Sequence, residues 1–269
     1  MTNGEFNILR CSMSGANAVV SNTRHIFPRH THEQFGIGVI EWGAQKSWSG
    51  RGLVEASAGD AITVNPGEVH DGAPIGGAGR AWPMLYFDPP LVAQAMHDMS
   101  EGKARSYEFY DPVIKDARVS ACFQRLFTAC TSAGERQVLR RDELLLALLP
   151  KVATQQNLPL VERFFPKAIS LAKSLIDDRP ASAVTLSDLA RASGLSKFQL
   201  LRGFVRATGL TPHTYVMQRR IELARRLIAR RVGLAEAALS SGFADQSHMT
   251  RIFVRNYGIS PGAYARVMN

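Results

Sequence analysis

The first third of the chain alternates short apolar runs with turns that contain glycine or proline. Between residues 8 and 88 this pattern predicts strands at residues 34–42, 45–49, 53–56, 61–64 and 81–87. Gly43, Gly50 and the turns at residues 59–60 and 65–67 separate them. Several short strands at this spacing are typical of a small β-sandwich or barrel.

The middle of the chain changes to a helical period. One helix is expected from residue 91 to residue 99. A second carries a single apolar stripe, formed by Val119, Cys122, Phe123, Leu126, Phe127 and Cys130. A third, rich in leucine, is expected at residues 142–152, where Pro150 should end or kink it. Two roles stay open for the last two helices, covering one face of the barrel and forming a dimer seam, and the two helices could also divide these roles between them.

The pattern predicts an α+β chain with two domains. Residues 1–157 form a β-barrel with a helical pair, residues 158–166 form a polar linker that contains proline, and residues 167–269 form an all-α domain. A long helix is expected to begin at Pro212, because proline suits the first helical position. It should run to about Arg231, with Gly233 as its stop.

The C-terminal part, from Thr185 to Tyr264, contains one pattern twice. Each copy is a short apolar helix, a glycine turn and a second helix opened by a capping residue, Ser196 or Asp245. The glycines of the two turns match at an offset of 48 residues. Three later positions match at an offset of 49: Phe204 with Phe253, Gly209 with Gly258, and Pro212 with Pro261. This layout is that of a helix-turn-helix, and two copies predict a DNA-binding domain with two such motifs.

The charge distribution supports that prediction. The chain has a net charge of +9, yet residues 163–269 carry 17 Lys or Arg and 6 Asp or Glu, a balance of +11. Residues 1–162 carry 15 Lys or Arg and 17 Asp or Glu, a balance of −2. A basic half that also carries both motifs indicates double-stranded DNA as its partner, whereas a solvated basic face would not explain the motifs.

Cysteine content and hydropathy predict the compartment. Cys122 and Cys130 are eight residues apart on a predicted helix, about 12 Å along its axis, which is too far for a disulfide. Three cysteines in 269 residues are typical of a reducing compartment. The longest apolar run, residues 144–149, is too short to span a bilayer, and residues 1–10 lack a signal-peptide pattern. We therefore expect a cytoplasmic protein without membrane association.

The second helix of each copy carries the residues expected to contact DNA, because its first turns reach base edges in the major groove. The expected base contacts are Lys197, Phe198, Gln199 and Arg202 in the first copy, and Gln246, Ser247, Thr250 and Arg251 in the second. The expected phosphate contacts are Arg206, Arg219, Arg220 and Arg255. The buried sides are assigned to Leu200, Leu201, Phe204, Val205, Met249, Ile252 and Phe253, with Leu201 near the boundary between the two sides.

The two copies resemble the DNA-binding domain of the AraC/XylS family of transcription regulators. Residues 242–253, GFADQSHMTRIF, followed by residues 258–261, GISP, match the second motif of that family, and residues 194–198 onward match its first motif. The resemblance covers residues 167–267 and extends more loosely to the N-terminal domain. It implies a sensor-regulator that binds a small-molecule effector in its barrel, forms a homodimer and works with RNA polymerase.

The N-terminal strands resemble a cupin barrel, so the first domain is predicted to be cupin-like. The resemblance rests on residues 30–32, the turn at 59–60 and residues 66–70. In metal-binding cupins two nearby histidines, a carboxylate and a later histidine hold the ion. Strand alternation places His30, His32 and Gln34 on one face. The place expected for the carboxylate holds glycine or isoleucine instead.

Three interpretations of the histidines stay open. They could form a three-histidine metal site with His70, line an organic-ligand cavity, or pack at the barrel mouth. The predicted effector site consists of His32, Trp42, Trp48, His70 and Tyr86, with no metal or other cofactor assigned. His32 and Trp42 share a face if the strand between them is regular.

Two other functions stay open beside that of a regulator, for which no catalytic residue is assigned. One is a metal-dependent cupin enzyme fused to a DNA-binding domain, which the missing carboxylate disfavours. The other is an adaptor whose barrel binds a second protein and has no small-molecule pocket. Effector identity, operator sequence and the choice between activation and repression do not follow from the residues.

Overall fold

The computed structural model describes residues 5–101, 106–132, 137–156 and 166–268. The chain divides into two compact units, residues 1–160 and 161–269. The predicted linker, residues 158–166, lies outside the described residues except for Pro166. Of the helices in the described ranges, none combines the length and the apolar character needed to cross a membrane.

The N-terminal unit consists of antiparallel strands and helices. Its strands are β1 (Glu5–Leu9), β2 (Ala16–Thr23), β3 (Phe27–His30), β4 (Phe35–Val39), β5 (Trp42–Ser49), β6 (Gly52–Ser57), β7 (Ala61–Val64), β8 (His70–Pro74), β9 (Arg80–Phe87), β10 (Ser106–Phe109), β11 (Val113–Ile114) and β12 (Ala153–Gln156). Its helices are α1 (Pro89–Met99), α2 (Ala117–Thr131) and α3 (Gln137–Val152). The predicted strand at residues 34–42 is two elements, since β4 ends at Val39 and β5 begins at Trp42.

Strand β9 organises the sheet because both of its edges are paired. One edge pairs with β2 along the whole strand. The other edge pairs with β5 at Arg80 and Ala81, and with β4 from Met84 onward. β4 continues to β7 and β11, whereas β5 continues to β8 and β3 and also pairs with β6. The sheet therefore branches beside Pro83, where the partner of β9 changes from β5 to β4. A large antiparallel sheet in this unit, followed by helices, confirms the predicted fold class.

Alternation along β9 gives the two faces of the sheet different cores. Leu85 and Phe87 belong to a large apolar cluster that includes residues of α1, α2 and α3. Trp82 and Met84 belong to a smaller cluster that includes Ile40 and partly buried aromatic side chains. Phe27 of β3 meets Trp82 edge to face, with ring centroids 6.3 Å apart. The first face therefore packs on helices, and the second forms the barrel interior.

Helices α2 and α3 cover the outer face of the sheet. Phe123, Leu126 and Leu148 are fully buried in the large cluster. The predicted role of these helices in covering one face of the barrel is therefore confirmed. The predicted start of α3 at residue 142 was wrong, because the helix begins at Gln137 in a polar stretch without apolar periodicity. It also continues past Pro150 to its end, since a proline in the last turn removes little of the hydrogen-bond ladder.

The C-terminal unit is helical throughout its described residues. Its helices are α4 (Lys167–Asp178), α5 (Leu186–Ser193), α6 (Lys197–Thr208), α7 (Pro212–Ala229), α8 (Leu234–Ser240), α9 (Gln246–Tyr257) and α10 (Pro261–Met268). The predicted helix starts at Lys167 and Pro212 are both present. The fold class predicted for this part of the chain, an all-α domain with two helix-turn-helix motifs, is confirmed.

The end of α7 differs from the prediction. The helix stops at Ala229, and Gly233 occupies the N-cap position of α8 instead of ending α7. Arg231 adopts a φ of 66°, and the N–H of Val232 donates to the carbonyl of Leu227 at 3.1 Å, which closes the helix. A left-handed arginine carries little sequence signal, because this conformation favours glycine or asparagine.

Candidate DNA-binding surface and barrel site

The first helix-turn-helix motif is fixed by two capping boxes. Thr185 and Asp188 form the box that opens α5. Gly194 ends that helix in the left-handed region with a φ of 65°. Ser196 Oγ then accepts the N–H of Gln199 at 3.2 Å, while Gln199 Oε1 accepts the N–H of Ser196 at 3.0 Å. These reciprocal bonds satisfy backbone donors at the start of α6 and set its direction.

The second motif uses a tighter turn between α8 and α9. Gly242 has a φ of 85°, and a Cβ at this position would lie 2.5 Å from the carbonyl oxygen of Ala181. Both conformation and space therefore require glycine there. Asp245 caps α9 by accepting the N–H of His248 at 2.7 Å. The His248 ring packs edge-on against Phe243, with centroids 5.3 Å apart.

The inner faces of α6 and α9 hold both helices in the domain. The fully buried side chains are Leu200, Phe204, Met249 and Phe253. Ile252 is half-buried, whereas Leu201 and Val205 are exposed, at 37% and 39%. The assignment of Val205 to the buried side was therefore wrong, since each residue of a helix is rotated by about 100° from its predecessor and only Phe204 of this pair points inward.

The outer faces of the same helices carry the predicted base contacts at solvent-accessible positions. The exposed members are Lys197, Phe198, Gln199, Arg202, Gln246, Ser247 and Arg251, and Thr250 is half-buried. Phe198 is 65% exposed, and the Arg202 guanidinium lies 5.5 Å from its ring centroid. Gln199 differs from the others because its amide oxygen belongs to the capping box. Arg206 and Arg255 are also exposed, further along α6 and α9.

Two of the four predicted phosphate contacts are engaged inside the domain. Arg219 forms ion pairs with Asp177 at 3.0 Å and with Glu222 at 2.6 Å. Arg220 donates to two backbone carbonyls of the segment after α4, each at 3.0 Å. These contacts tie α7 to α4 and to the loop beyond it. The phosphate role of Arg219 and Arg220 stays a prediction, and the sequence did not show these contacts within the domain because both residues are arginines of a basic, amphipathic helix.

Three histidines meet in the N-terminal unit. His30 ends β3 and lies directly opposite His70 at the start of β8. Ring centroids are 4.4 Å apart for His30 and His70, 4.8 Å for His30 and His32, and 5.0 Å for His32 and His70. One possible ligand atom from each ring lies within 4.8 Å of the others. These side chains could hold a metal ion or anchor a polar ligand.

Burial keeps two of these rings neutral. Desolvation lowers the pKa of His30 to about 3, with a further contribution from the nearby His70. Desolvation lowers the pKa of His70 to about 4. Both imidazoles therefore present a lone pair at pH 7 instead of a positive charge.

The expected face-sharing of the histidines with Gln34 and Trp42 was wrong. The chain bends at residues 33–34 and leaves the strand again at residues 40–41, so alternation does not run through from one end to the other. Gln34 instead donates to Asp88 Oδ1 at 2.8 Å. Trp42 lies at the start of β5 and is 40% exposed.

Of the predicted effector residues, the structure brings Tyr86 to the histidines, with its ring centroid 5.1 Å from that of His32. The ring of Trp48 instead packs under the guanidinium of Arg29, which lies 4.3 Å from the ring centroid.

The barrel contains a buried arginine, Arg80, that the sequence pattern did not single out. Arg80 has no solvent exposure and donates to Gln45 Oε1 at 3.0 Å and to two backbone carbonyls. Its guanidinium lies 4.7 Å from the ring centroid of Trp82. Desolvation lowers the pKa of Arg80 to about 10, so the side chain stays charged at pH 7. Strand alternation could have found it, since Arg80, Trp82 and Tyr86 share a face of β9.

Two family models match separate parts of the chain. The AraC-like ligand binding domain matches residues 19–149, and a helix-turn-helix domain matches residues 189–266. The first match covers most of the sheet together with α1, α2 and most of α3. The second covers both helix-turn-helix motifs.

Curated relatives of the chain are transcription regulators. The chain is 29% identical over 226 residues to YbfI of Bacillus subtilis, an uncharacterized HTH-type transcriptional regulator, and the match covers 83% of this chain and 81% of that protein. It is 30% identical over 131 residues to RhaS of Escherichia coli, an HTH-type transcriptional activator, covering 48% of this chain and 45% of that protein.

Solved structures of ToxT from Vibrio cholerae share the fold. The apo form of a ToxT variant aligns with a TM-score of 0.61 at 12% identity, covering 97% of this chain and 100% of that one. Wild-type ToxT bound to an unsaturated fatty acid aligns with a TM-score of 0.54 at 12% identity, covering 98% and 95%. At this identity the likeness concerns the fold alone.

The family matches and the structure assign the same two roles to the two units of the chain. The ligand-binding model falls on the unit that contains the barrel, and the helix-turn-helix model falls on the basic unit with two capped, solvent-facing recognition helices. The chain therefore belongs to the AraC family of transcription regulators, with an N-terminal ligand-binding domain and a C-terminal DNA-binding domain.

Proposed function

We propose that the chain binds a specific operator as a cytoplasmic homodimer and regulates transcription in response to a small molecule held in the barrel. The observation that carries the DNA part of the proposal is the pair of recognition helices, α6 and α9. Each buries one apolar face and presents arginine and glutamine side chains on the other, and α9 adds the hydroxyl groups of Ser247 and Thr250. Such side chains suit direct contacts with base edges in the major groove.

The spacing of the two motifs fits recognition of one face of the duplex. They are joined by α7, whose 18 residues span about 27 Å. The recognition helices would then enter neighbouring major-groove segments, about 10 bp apart. Arg206 and Arg255 follow the base-contacting residues on α6 and α9, which suits contacts with the flanking phosphates.

Selection of duplexes from a random-sequence library by the full chain tests the DNA proposal. We expect two conserved boxes separated by about 10 bp, one for each recognition helix. A parallel selection with Arg251→Ala should relax the base preference of one box and leave the other intact. A consensus with a single box, or equal recovery of all sequences, would contradict the proposal.

The barrel part of the proposal rests on the convergence of polar side chains in a mostly apolar interior. His32, His70 and Tyr86 come together there, next to the cluster that contains Trp82 and Met84. A few polar groups in an apolar setting are typical of small-molecule sites. An effector can control the protein only if it binds two arrangements of the chain with different affinities.

A thermal-shift screen of the full chain against metabolites tests the barrel proposal. All three tryptophans lie in the N-terminal unit, so tryptophan fluorescence follows that unit separately. An effector should raise the midpoint of this transition, and His32→Gln should abolish the rise. If no compound shifts the midpoint but a protein from the same cell binds the barrel, the adaptor function replaces the sensor function.

The homodimer proposal rests on exposed leucines of α3. Leu139 is 70% exposed and Leu146 is 41% exposed, and a spacing of seven residues places them on one side of the helix. Sedimentation of the wild type should show a dimer, and Leu139→Glu should shift it toward monomer. Leu53→Glu is the matched control, because Leu53 is 68% exposed on β6. Equal behaviour of the two variants would remove α3 from the interface.

The last part of the proposal is a partnership with RNA polymerase. In a purified transcription reaction on the selected operator, the chain should change the amount of transcript, and the effector should alter this change. Arg202→Ala should lose the effect in step with its loss of operator binding. An unchanged transcript level at full operator occupancy would exclude direct regulation of the polymerase.

A further inference from the structure

The hydrogen bonds of two histidine rings fix which nitrogen atoms remain available. Nδ1 of His30 lies 2.7 Å from the carbonyl oxygen of Pro28, and Nδ1 of His70 lies 3.0 Å from the carbonyl oxygen of Glu68. A carbonyl oxygen only accepts, so each Nδ1 must carry the proton. Nε2 of both rings then holds a lone pair that can bind a metal ion or accept a hydrogen bond.

This is the arrangement that metal-binding histidines adopt, in which one ring nitrogen donates to a carbonyl and the other binds the ion. We infer that His30, His32 and His70 form a binding site for one divalent transition-metal ion. The ligand atoms lie within 4.8 Å of one another, and small side-chain rotations would bring each to the 2.0–2.1 Å from a shared ion that imidazole–metal bonds require.

The surroundings favour a cation over simple packing of the three rings. Each pair of rings is in contact, with centroids 4.4 to 5.0 Å apart, and one possible ligand atom of each ring lies within 4.8 Å of the others. The nearby carboxylate of Asp71 is used elsewhere, since it accepts the N–H of Trp48 at 2.7 Å and pairs with Arg29 at 3.8 Å. A metal ion at the centre would bind the Nε2 lone pairs of His30 and His70 directly.

The ligand set also limits the kind of ion. Three imidazoles suit zinc, iron, copper, nickel or cobalt, whereas calcium and magnesium prefer oxygen ligands. The cluster found among the described residues contains these three histidines and no carboxylate. Three protein ligands leave at least one coordination position for water or for another small donor.

Cobalt(II) is the probe for the test, because its visible absorption reports the coordination geometry. The full chain, prepared without a histidine tag and stripped with a chelator, is titrated with Co²⁺ and then with Zn²⁺. We expect intense d–d bands that saturate at one Co²⁺ per chain and disappear when Zn²⁺ competes. Absent bands, or saturation only at several ions per chain, would overturn the inference.

Three substitutions locate the ion. His32→Gln and His70→Gln should each weaken Co²⁺ binding by at least about 100-fold, because loss of a direct ligand should exceed the 10- to 100-fold effect of losing an outer partner. His97→Gln is the matched control, since His97 is exposed in the last turn of α1. His32 lies outside the strands, and tryptophan fluorescence verifies folding. Unchanged Co²⁺ affinity in a folded His32→Gln chain would overturn the site.

Discussion

Gly194 and Gly242 occupy equivalent places in the two motifs, yet their surroundings differ. Both have a positive φ, 65° and 85° respectively. A Cβ on Gly194 would meet no atom within 4 Å, whereas a Cβ on Gly242 would lie 2.5 Å from a backbone oxygen. The repeat in the sequence identified both positions. Only the packing of the second turn against Ala181 shows that Gly242 tolerates a side chain less well than Gly194 does.

We predict that Gly242→Ala destabilises the C-terminal unit more than Gly194→Ala. Gly194→Ala adds only the cost of a left-handed alanine, about 1–2 kcal/mol. Gly242→Ala adds overpacking to that cost, for a total of about 2–5 kcal/mol. Far-UV circular dichroism during urea unfolding follows the helical unit, and tryptophan fluorescence serves as the internal control for the other unit. Equal losses would mean that the backbone shifts freely at Ala181.

The outward positions of α6 and α9 were predictable from helical periodicity and the position of each cap. Arg202 and Arg251 are exposed, as their positions two residues before the buried Phe204 and Phe253 require. The sequence did not show where helix capping and base recognition compete for the same side chain. Gln199 fits both a capping box and base recognition, and only the hydrogen bond to Ser196 shows that its oxygen serves the cap.

At the scale of elements, α7 depends on buried charges. Glu222 is 2% exposed and pairs with Arg219, which also pairs with Asp177 of α4. Tyr215 adds a hydrogen bond from its hydroxyl to Asp177 at 2.8 Å. These contacts join α4 and α7, and α4 packs against α6 while α7 packs against both recognition helices.

We predict opposite signatures for arginines on α7 and arginines on the recognition helices. Arg219→Ala should destabilise the C-terminal unit by about 2–4 kcal/mol, because it removes the ion pair of a buried carboxylate. It should leave the salt dependence of DNA affinity unchanged. Arg206→Ala and Arg255→Ala should each reduce the slope of log K against log salt by about 1 with little loss of stability. A reduced slope for Arg219→Ala would contradict this expectation and support a phosphate contact for Arg219.

Elements with strong local signals were predictable, and those defined by pairing were not. Helix α4 carries an amphipathic stripe, and α7 begins at a proline. Strand β2 has no regular alternation, and its identity depends on pairing with β9 along its whole length. Strand β12 lies in a polar stretch and pairs with β10, which is remote in sequence. Long-range pairing of this kind leaves no local pattern.

At the scale of the molecule, composition alone separates the two functions. The basic surplus falls entirely within residues 163–269, and the same region carries both motifs. The histidine cluster shows the opposite situation. His30 and His32 are close in sequence, but His70 joins them only because β3 pairs with β8, so its place in the cluster needed the fold.

The central claim is that α6 and α9 both read DNA bases through their first turns. The most direct measurement compares the affinities of Arg202→Ala and Arg251→Ala for the selected operator and for a random duplex at one salt concentration. Arg118→Ala, which removes the same charge from an exposed site on α2, is the control. Each recognition-helix variant should lose about 1–3 kcal/mol on the operator and clearly less on random DNA. Equal losses on both duplexes, or losses no larger than that of the control, would contradict the account.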